Sequence, residues 1–289
     1  MQIQPPERPS GGFFMCVGTE LGEAPWGRGT MVRRVAGVNW RPMAIVVLQH
    51  SACDGPGILA QVLRDNAHRL DIRRLDLPAA QGGKPVPADY DGVSAVISLG
   101  GPQSVGDGSP WMAQELAFLK GAHERQLPVL GICLGHQLLA AALGGEVGPA
   151  NEGEVGMCPV SIIGPGQTDT VLAGVPWRHH QLQAHNQEVT KVPPDAVVLA
   201  SSPACKVQAF RCGLRTYGFQ FHFEYDRAMI EARATDAFTQ QLMARRGLSA
   251  ADVRQQVDRH FDDYGRIGRR LAGNIASFLF PVIGKLRSA

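Results

Sequence analysis

Cys133 stands in Gly131-Ile132-Cys133-Leu134-Gly135, with the apolar Val129-Leu130 before it and the helix-forming Gln137-Leu138-Leu139-Ala140 after it. That reads as a strand, a sharp turn and a helix with a nucleophile at the turn, the logic of a nucleophile elbow. Side chains flanking so tight a turn would collide, which accounts for the glycines. The thiol is thrust out at the strand end, and the amide of Leu134 faces the same point. A helix N-terminus beneath favours the thiolate. Alone, the pattern fits a buried structural cysteine equally well.

Two more segments carry chemistry. Gly100-Gly101-Pro102-Gln103-Ser104 follows an apolar run, and its glycines let the backbone approach a ligand and aim an amide at it. By itself this is also an ordinary Gly-Pro turn. His222-Phe223-Glu224 ends the run Gly218-Phe219-Gln220-Phe221. On an extended strand residues two apart share a side, so His222 and Glu224 face one way and Phe223 the other. Glu224 can orient the imidazole and His222 can serve Cys133. An isolated His-x-Glu is equally a surface ion pair.

The elements that must hold these residues alternate from Met43 onward. Met43–His50 is a compact apolar run of the buried parallel type. A helix is expected around 57–69, strands over 71–75 and 93–99, a helix over 111–125 and a strand over 128–132. This alternation predicts an α/β fold, a doubly wound, mostly parallel sheet flanked by helices. In such sheets the site lies beyond the carboxyl ends of the strands, where Gly100-Gly101 and Cys133 both fall. After Gly144-Gly145 the pattern turns strand-rich, with candidates at 155–163, 197–201, 207–210 and 217–223. His179 and His180 are expected in an exposed loop. From Tyr225 the chain reads as helical, with Ser249 capping a helix through 252–261. The cluster 275–283, interrupted by Pro281, is expected to pack on the domain.

Composition narrows the classes. The chain has 289 residues, 44% hydrophobic and 19% charged, enough for a sizeable core. A net charge of +2 argues against a polyanionic partner, so nucleic acid is not expected. The six cysteines form no Cys-x-x-Cys pair and no zinc-ligand spacing. Reduced thiols and a cytoplasmic location follow, with no metal or organic cofactor expected. No apolar stretch is long enough for a bilayer, and the N-terminus lacks the apolar core of a signal peptide. Residues 1–42 are rich in Gly and Pro without helix or strand period and read as a poorly ordered extension. Met43 could be the true start, and a partner-binding tail is the alternative.

Taken together, the three segments resemble the class I, triad-type glutamine amidotransferases. Gly131–Gln137 matches that family's nucleophile motif, Gly100–Ser104 its oxyanion strand and His222–Glu224 its His-Pro-Glu element. Leu143–Val147, Asn151-Glu152 and Ala184-His185-Asn186-Gln187-Glu188-Val189 resemble the glutaminase domain of GMP synthetase. The likeness covers about 43–226. It implies a flavodoxin-like fold, a Cys133, His222 and Glu224 triad, an oxyanion hole from the Gly101 and Leu134 amides, and substrate contacts at Gly100, Gln137, His185 and Asn186. The expected domains are the extension 1–42, the amidotransferase domain 43–226, and a helical extension 227–289 packed on it.

Phe223 departs from the family's proline, but it points away from the thiol. No Ser-Gly-Gly-x-Asp-Ser nucleotide loop and no Walker A loop occurs in the sequence. The expected reaction is therefore glutamine hydrolysis that supplies ammonia to a separate synthetase. A γ-glutamyl peptidase with the same triad is the first alternative, and a non-catalytic regulatory subunit the second. An α/β-hydrolase would place its acid before its histidine, whereas here Glu224 comes last.

Overall fold

The computed structural model describes residues 43–281, so the expected extension 1–42 and the residues 282–289 lie outside the described residues. Four segments form parallel strands: β1 (Ala44–Gln49), β2 (Leu70–Arg74), β3 (Val93–Ser98) and β4 (Val129–Ile132). Between them run the helices α1 (Gly57–Asp65) and α2 (Met112–Glu124), and α3 (Leu134–Ala142) follows β4 directly. Successive residues of β1 feed opposite cores. Ile45 and Val47 pack with Leu59 and Leu63 of α1, while Val46 and Leu48 pack with Phe118 and Leu119 of α2 and Leu138 of α3. A strand buried on both faces needs a mainly apolar run, as in β1, β3 and β4, whereas the edge strand β2 is half-buried and carries Asp71, Arg73 and Arg74.

The chain then builds β5 (Glu146–Ile162), the short α4 (Gly164–Gln167), β6 (Arg178–Lys191), β7 (Ala196–Ser201), β8 (Ala209–Cys212) and β9 (Thr216–Phe219). All nine strands form one sheet, in the order β2-β1-β3-β4-β9-β8-β7-β5-β6. It is parallel from β2 through β9 and antiparallel beyond. The expected strand over 217–223 leaves the ladder after Phe219 because β4, its partner, ends at Ile132 where the elbow turns away. Beyond it, Gln220 N–H donates to Gln208 O at 2.8 Å and an isolated bridge joins Leu182 to His222.

β6 is a strand that the sequence pattern does not announce. Its inward residues include Gln181, Gln183 and His185, all nearly fully buried, so the apolar signal is missing. His179 is buried in it too, not exposed in a loop, and burial pushes its pKa down to about 4. His180 is stacked on His260 at 4.0 Å.

Three helices close the described chain: α5 (Arg227–Thr235), α6 (Ala237–Arg245) and α7 (Ala250–Asn274). Ser249 caps α7 in a capping box with Asp252. Leu242, Met243, Val253 and Val257 cover Val155, Met157 and Leu182 of the β5–β6 arm. The end of α7 passes into a π-helical turn, Ile275–Leu279, whose Ile275, Ala276 and Leu279 are buried in the main core. No helix among the described residues is long and apolar enough to cross a membrane.

Candidate active site

The elbow is set by steric necessity. Cys133 has φ 53° and ψ −107°, a conformation that costs a non-glycine residue about 1–3 kcal/mol. A Cβ on Gly131 would overlap the Gly135 carbonyl, and one on Gly135 would overlap the Ser98 carbonyl. Both flanking residues must therefore be glycine for the helix to start this close to β3 and β4. Cys133 N–H donates to Phe219 O at 2.8 Å, which ties the turn to β9.

His222 and Glu224 come from the segment beyond β9. Glu224 Oε1 lies 2.7 Å from His222 Nδ1, and Phe223 N–H donates to Glu224 Oε2 at 2.9 Å. Both side chains are buried. Phe223 points to the other side and packs against Phe219 with ring centroids 5.5 Å apart. Burial alone would lower the His222 pKa, but the Glu224 carboxylate and Cys133 beside the ring overcome it and raise it to about 10. Nε2 of this imidazole is buried without a hydrogen-bond partner.

Burial pushes the other four described thiols, Cys53, Cys158, Cys205 and Cys212, upward, with Cys158 reaching about 12. Neighbouring carboxylates add to the shift, so these groups are poor nucleophiles at neutral pH. Cys16 lies outside the described residues.

Gly100 and Gly101 follow β3 and cross in front of the imidazole. A Cβ on Gly100 would lie 2.7 Å from His222 Cε1, and one on Gly101 would lie 2.9 Å from Leu134 Cδ2. Among the described residues, no backbone–backbone hydrogen bond outside the regular elements takes up the amide of Gly101 or of Leu134, the first residue of α3.

Gln137, His185 and Asn186 are brought to the same side but do different things. Gln137 Nε2 donates to Gln187 O at 2.9 Å and to Gln220 Oε1 at 3.0 Å. His185 contacts Gln187 O at 2.9 Å through Nδ1 and Glu154 Oε2 at 3.1 Å through Nε2, so both ring nitrogens are occupied. Gln187 Oε1 accepts from Val105 N–H at 2.9 Å, which joins the β6 segment to the loop after β3. Asn186 lines a cavity of about 580 Å³ with Ser104, Asn151, Gln187, Arg245 and Arg246. His136, on the buried face of α3, packs on Phe210, and burial drives its pKa down to about 3.

Glu154, His185 and Cys205 have the composition of a metal-ligand set, with their atoms within 4.8 Å of one another. The Glu154 carboxylate is already engaged by Ser202 at 2.8 Å and Gln208 at 2.6 Å as well as by His185.

Two buried charged clusters were not legible in the sequence. His50, at the end of β1, lies 2.8 Å from Glu115 Oε2, and Ser98 Oγ donates to Glu115 Oε1 at 2.6 Å. Asp54 accepts from Ser51 and Tyr225 hydroxyls and lies 3.3 Å from Arg233. Tyr225 in turn packs on His222, ring centroids 4.3 Å apart. The one available signal was position, since His50 sits at the carboxyl end of a parallel strand.

Residues 57–238 match the family described as glutamine amidotransferase class-I. A glutamine-hydrolyzing GMP synthase subunit from Pyrococcus abyssi is 35% identical over 132 residues, 45% of this chain and 66% of that protein. The corresponding subunit from Sulfolobus acidocaldarius is 40% identical over 131 residues, with the same shares. The chain thus spans a little under two thirds of these relatives. A glutamine amido transferase structure from Methylobacillus flagellatus superposes with a TM-score of 0.67 at 25% identity, covering 81% of this chain and 94% of that one. A glutamine amidotransferase from Thermotoga maritima shares the fold with a TM-score of 0.68 at 21% identity, covering 82% and 100%. The chain belongs to the class-I glutamine amidotransferase family.

Proposed function

We propose that this protein hydrolyses the side-chain amide of glutamine through a Cys133 thioester and delivers the ammonia to a separate acceptor enzyme. The observation that carries the reading is the strained Cys133 at a glycine-flanked elbow, with the His222–Glu224 pair beside it. A residue held at such a cost needs a reason, and exposing a nucleophile at a strand end supplies one.

The Cys133 sulfur attacks the amide carbon and forms the carbon–sulfur bond. The oxygen, now negative, sits between the Gly101 and Leu134 amides, each worth roughly 3–4 kcal/mol to the transition state. His222 passes its proton to the departing nitrogen, and ammonia leaves. The neutral imidazole then takes a proton from water, which attacks the thioester and releases glutamate. Glu224 fixes the ring's tautomer and favours its charged form. Gln137 and His185 act through Gln187 by holding the β6 segment against the elbow helix.

The relatives named as separate subunits of GMP synthase support an acceptor on another polypeptide. A γ-glutamyl peptidase, which would share the acyl-enzyme and release an amine other than ammonia, is the second reading. Glutamate and ammonia released from glutamine, against amine released from γ-glutamyl dipeptides, separates the two. Slow glutamine turnover that rises when the acceptor protein is added supports the first. Dipeptide cleavage much faster than glutamine turnover, without a partner, supports the second.

A further inference from the structure

His50 is fully buried and carries no part of the proposed reaction. Its Nδ1 lies 3.1 Å from Leu99 O and 3.1 Å from Gly100 O. Carbonyl oxygens only accept, so Nδ1 carries a proton shared between them. Its Nε2 faces Glu115 Oε2 at 2.8 Å, and its ring rests on Trp111 with centroids 4.6 Å apart. Burial would push the His50 pKa down, but Glu115, with the Gly100 carbonyl and Asp54, raises it instead. The contact between Nε2 and the Glu115 carboxylate likewise holds one proton between them.

The consequence follows from peptide geometry. In a planar trans peptide the carbonyl of one residue and the amide N–H of the next point in opposite directions. Gly100 O and Gly101 N–H belong to one such unit. Two glycines in succession leave that unit free to rotate, because neither has a Cβ to restrict it. A donor pinned to Gly100 O therefore sets the direction of Gly101 N–H.

We propose that His50 is a positioning residue for the oxyanion hole, holding the Gly100 carbonyl so that the Gly101 amide faces the substrate on Cys133. The brace continues to the elbow. Glu115 holds His50 on one side and accepts from Ser98 on the other, and the Ser98 carbonyl abuts Gly135. The oxyanion loop and the nucleophile turn thus share one buried anchor. This inference rests on the proposed thioester chemistry.

The test compares two isosteric amides at position 50 in the full-length chain. In His50→Asn the side-chain nitrogen can occupy the place of Nδ1, and in His50→Gln the place of Nε2. The Asn variant is expected to keep kcat within about fivefold of wild type. The Gln and Ala variants are expected to lose about 10–100-fold in kcat, with KM for glutamine within about threefold, less than deletion of an oxyanion donor outright. The γ-aldehyde analogue of glutamine, which forms a hemithioacetal whose oxygen sits in the hole, should lose affinity in parallel with kcat. Alkylation of Cys133 by iodoacetamide develops no oxyanion and should proceed at the wild-type rate in all variants. Equal losses in Asn and Gln, aldehyde affinity that tracks KM, or slowed alkylation would overturn the proposal. A wild-type chain that neither turns over glutamine nor binds the aldehyde would overturn the thioester reading itself, and this inference with it.

Discussion

Gly135 meets the carbonyl of Ser98 so closely that no side chain fits between them. The first turn of α3 is thereby seated directly on β3, and its N-terminus lies under Cys133. Gly135→Ala must push the helix off the strand or open the turn. The clash is with backbone, which cannot swing aside, so we expect a loss of about 1–3 kcal/mol in stability, the range of overpacked cores. Activity should fall at least a hundredfold, since a small displacement of a nucleophile is costly. Denaturant titration and glutamate release measure the two effects. A variant with unchanged stability and activity would mean that the elbow tolerates a side chain there.

Strain at Cys133 gives a prediction with an unusual sign. At most positions alanine is more stabilising than glycine by about 0.5–1 kcal/mol, because glycine has more freedom to lose on folding. At φ 53° and ψ −107° the order should invert, since only alanine keeps the strained Cβ. Cys133→Gly is therefore expected to melt above Cys133→Ala, with both inactive. Thermal unfolding of the two variants side by side decides it.

The His222–Glu224 pair sets a pH limit. A pKa raised from 6.5 to about 10 means that the folded protein keeps this proton as pH rises through the ordinary imidazole range. Steps that need the protonated ring should persist above neutral pH and fade as pH approaches about 10. Glu224→Gln removes the raising charge, so the alkaline limb of kcat/KM should move down toward neutrality and kcat should drop by about two to four orders of magnitude. His222→Ala should cost more, and the double variant little more than His222→Ala alone. Additive losses would mean that the two side chains do not share a step.

The inner parallel strands were legible because burial on both faces demands mainly apolar residues, as in Ile45-Val46-Val47-Leu48. Cys133, His222 and Glu224 stood out in the sequence because each sits in a short motif whose backbone geometry dictates its residues. β6 was not, since its buried face carries Gln181, Gln183 and His185 where an apolar pattern would be sought. His50 and Asp54 were missed for a different reason. Their partners, Glu115 and Arg233, stand 65 and 179 residues away, and only the folded sheet brings them together. Glu154 reaches His185 31 residues away across the β5–β6 pairing, a register that nothing local in the sequence specifies.

The central claim is that Cys133 carries the acyl group. A diazoketone analogue of glutamine, followed by peptide mass spectrometry, tests it most directly. One covalent adduct per chain is expected, located on Cys133, suppressed by excess glutamine and absent in Cys133→Ala, which should also release no glutamate. Adducts on Cys158 or Cys205, or glutamate release preserved in Cys133→Ala, would contradict it.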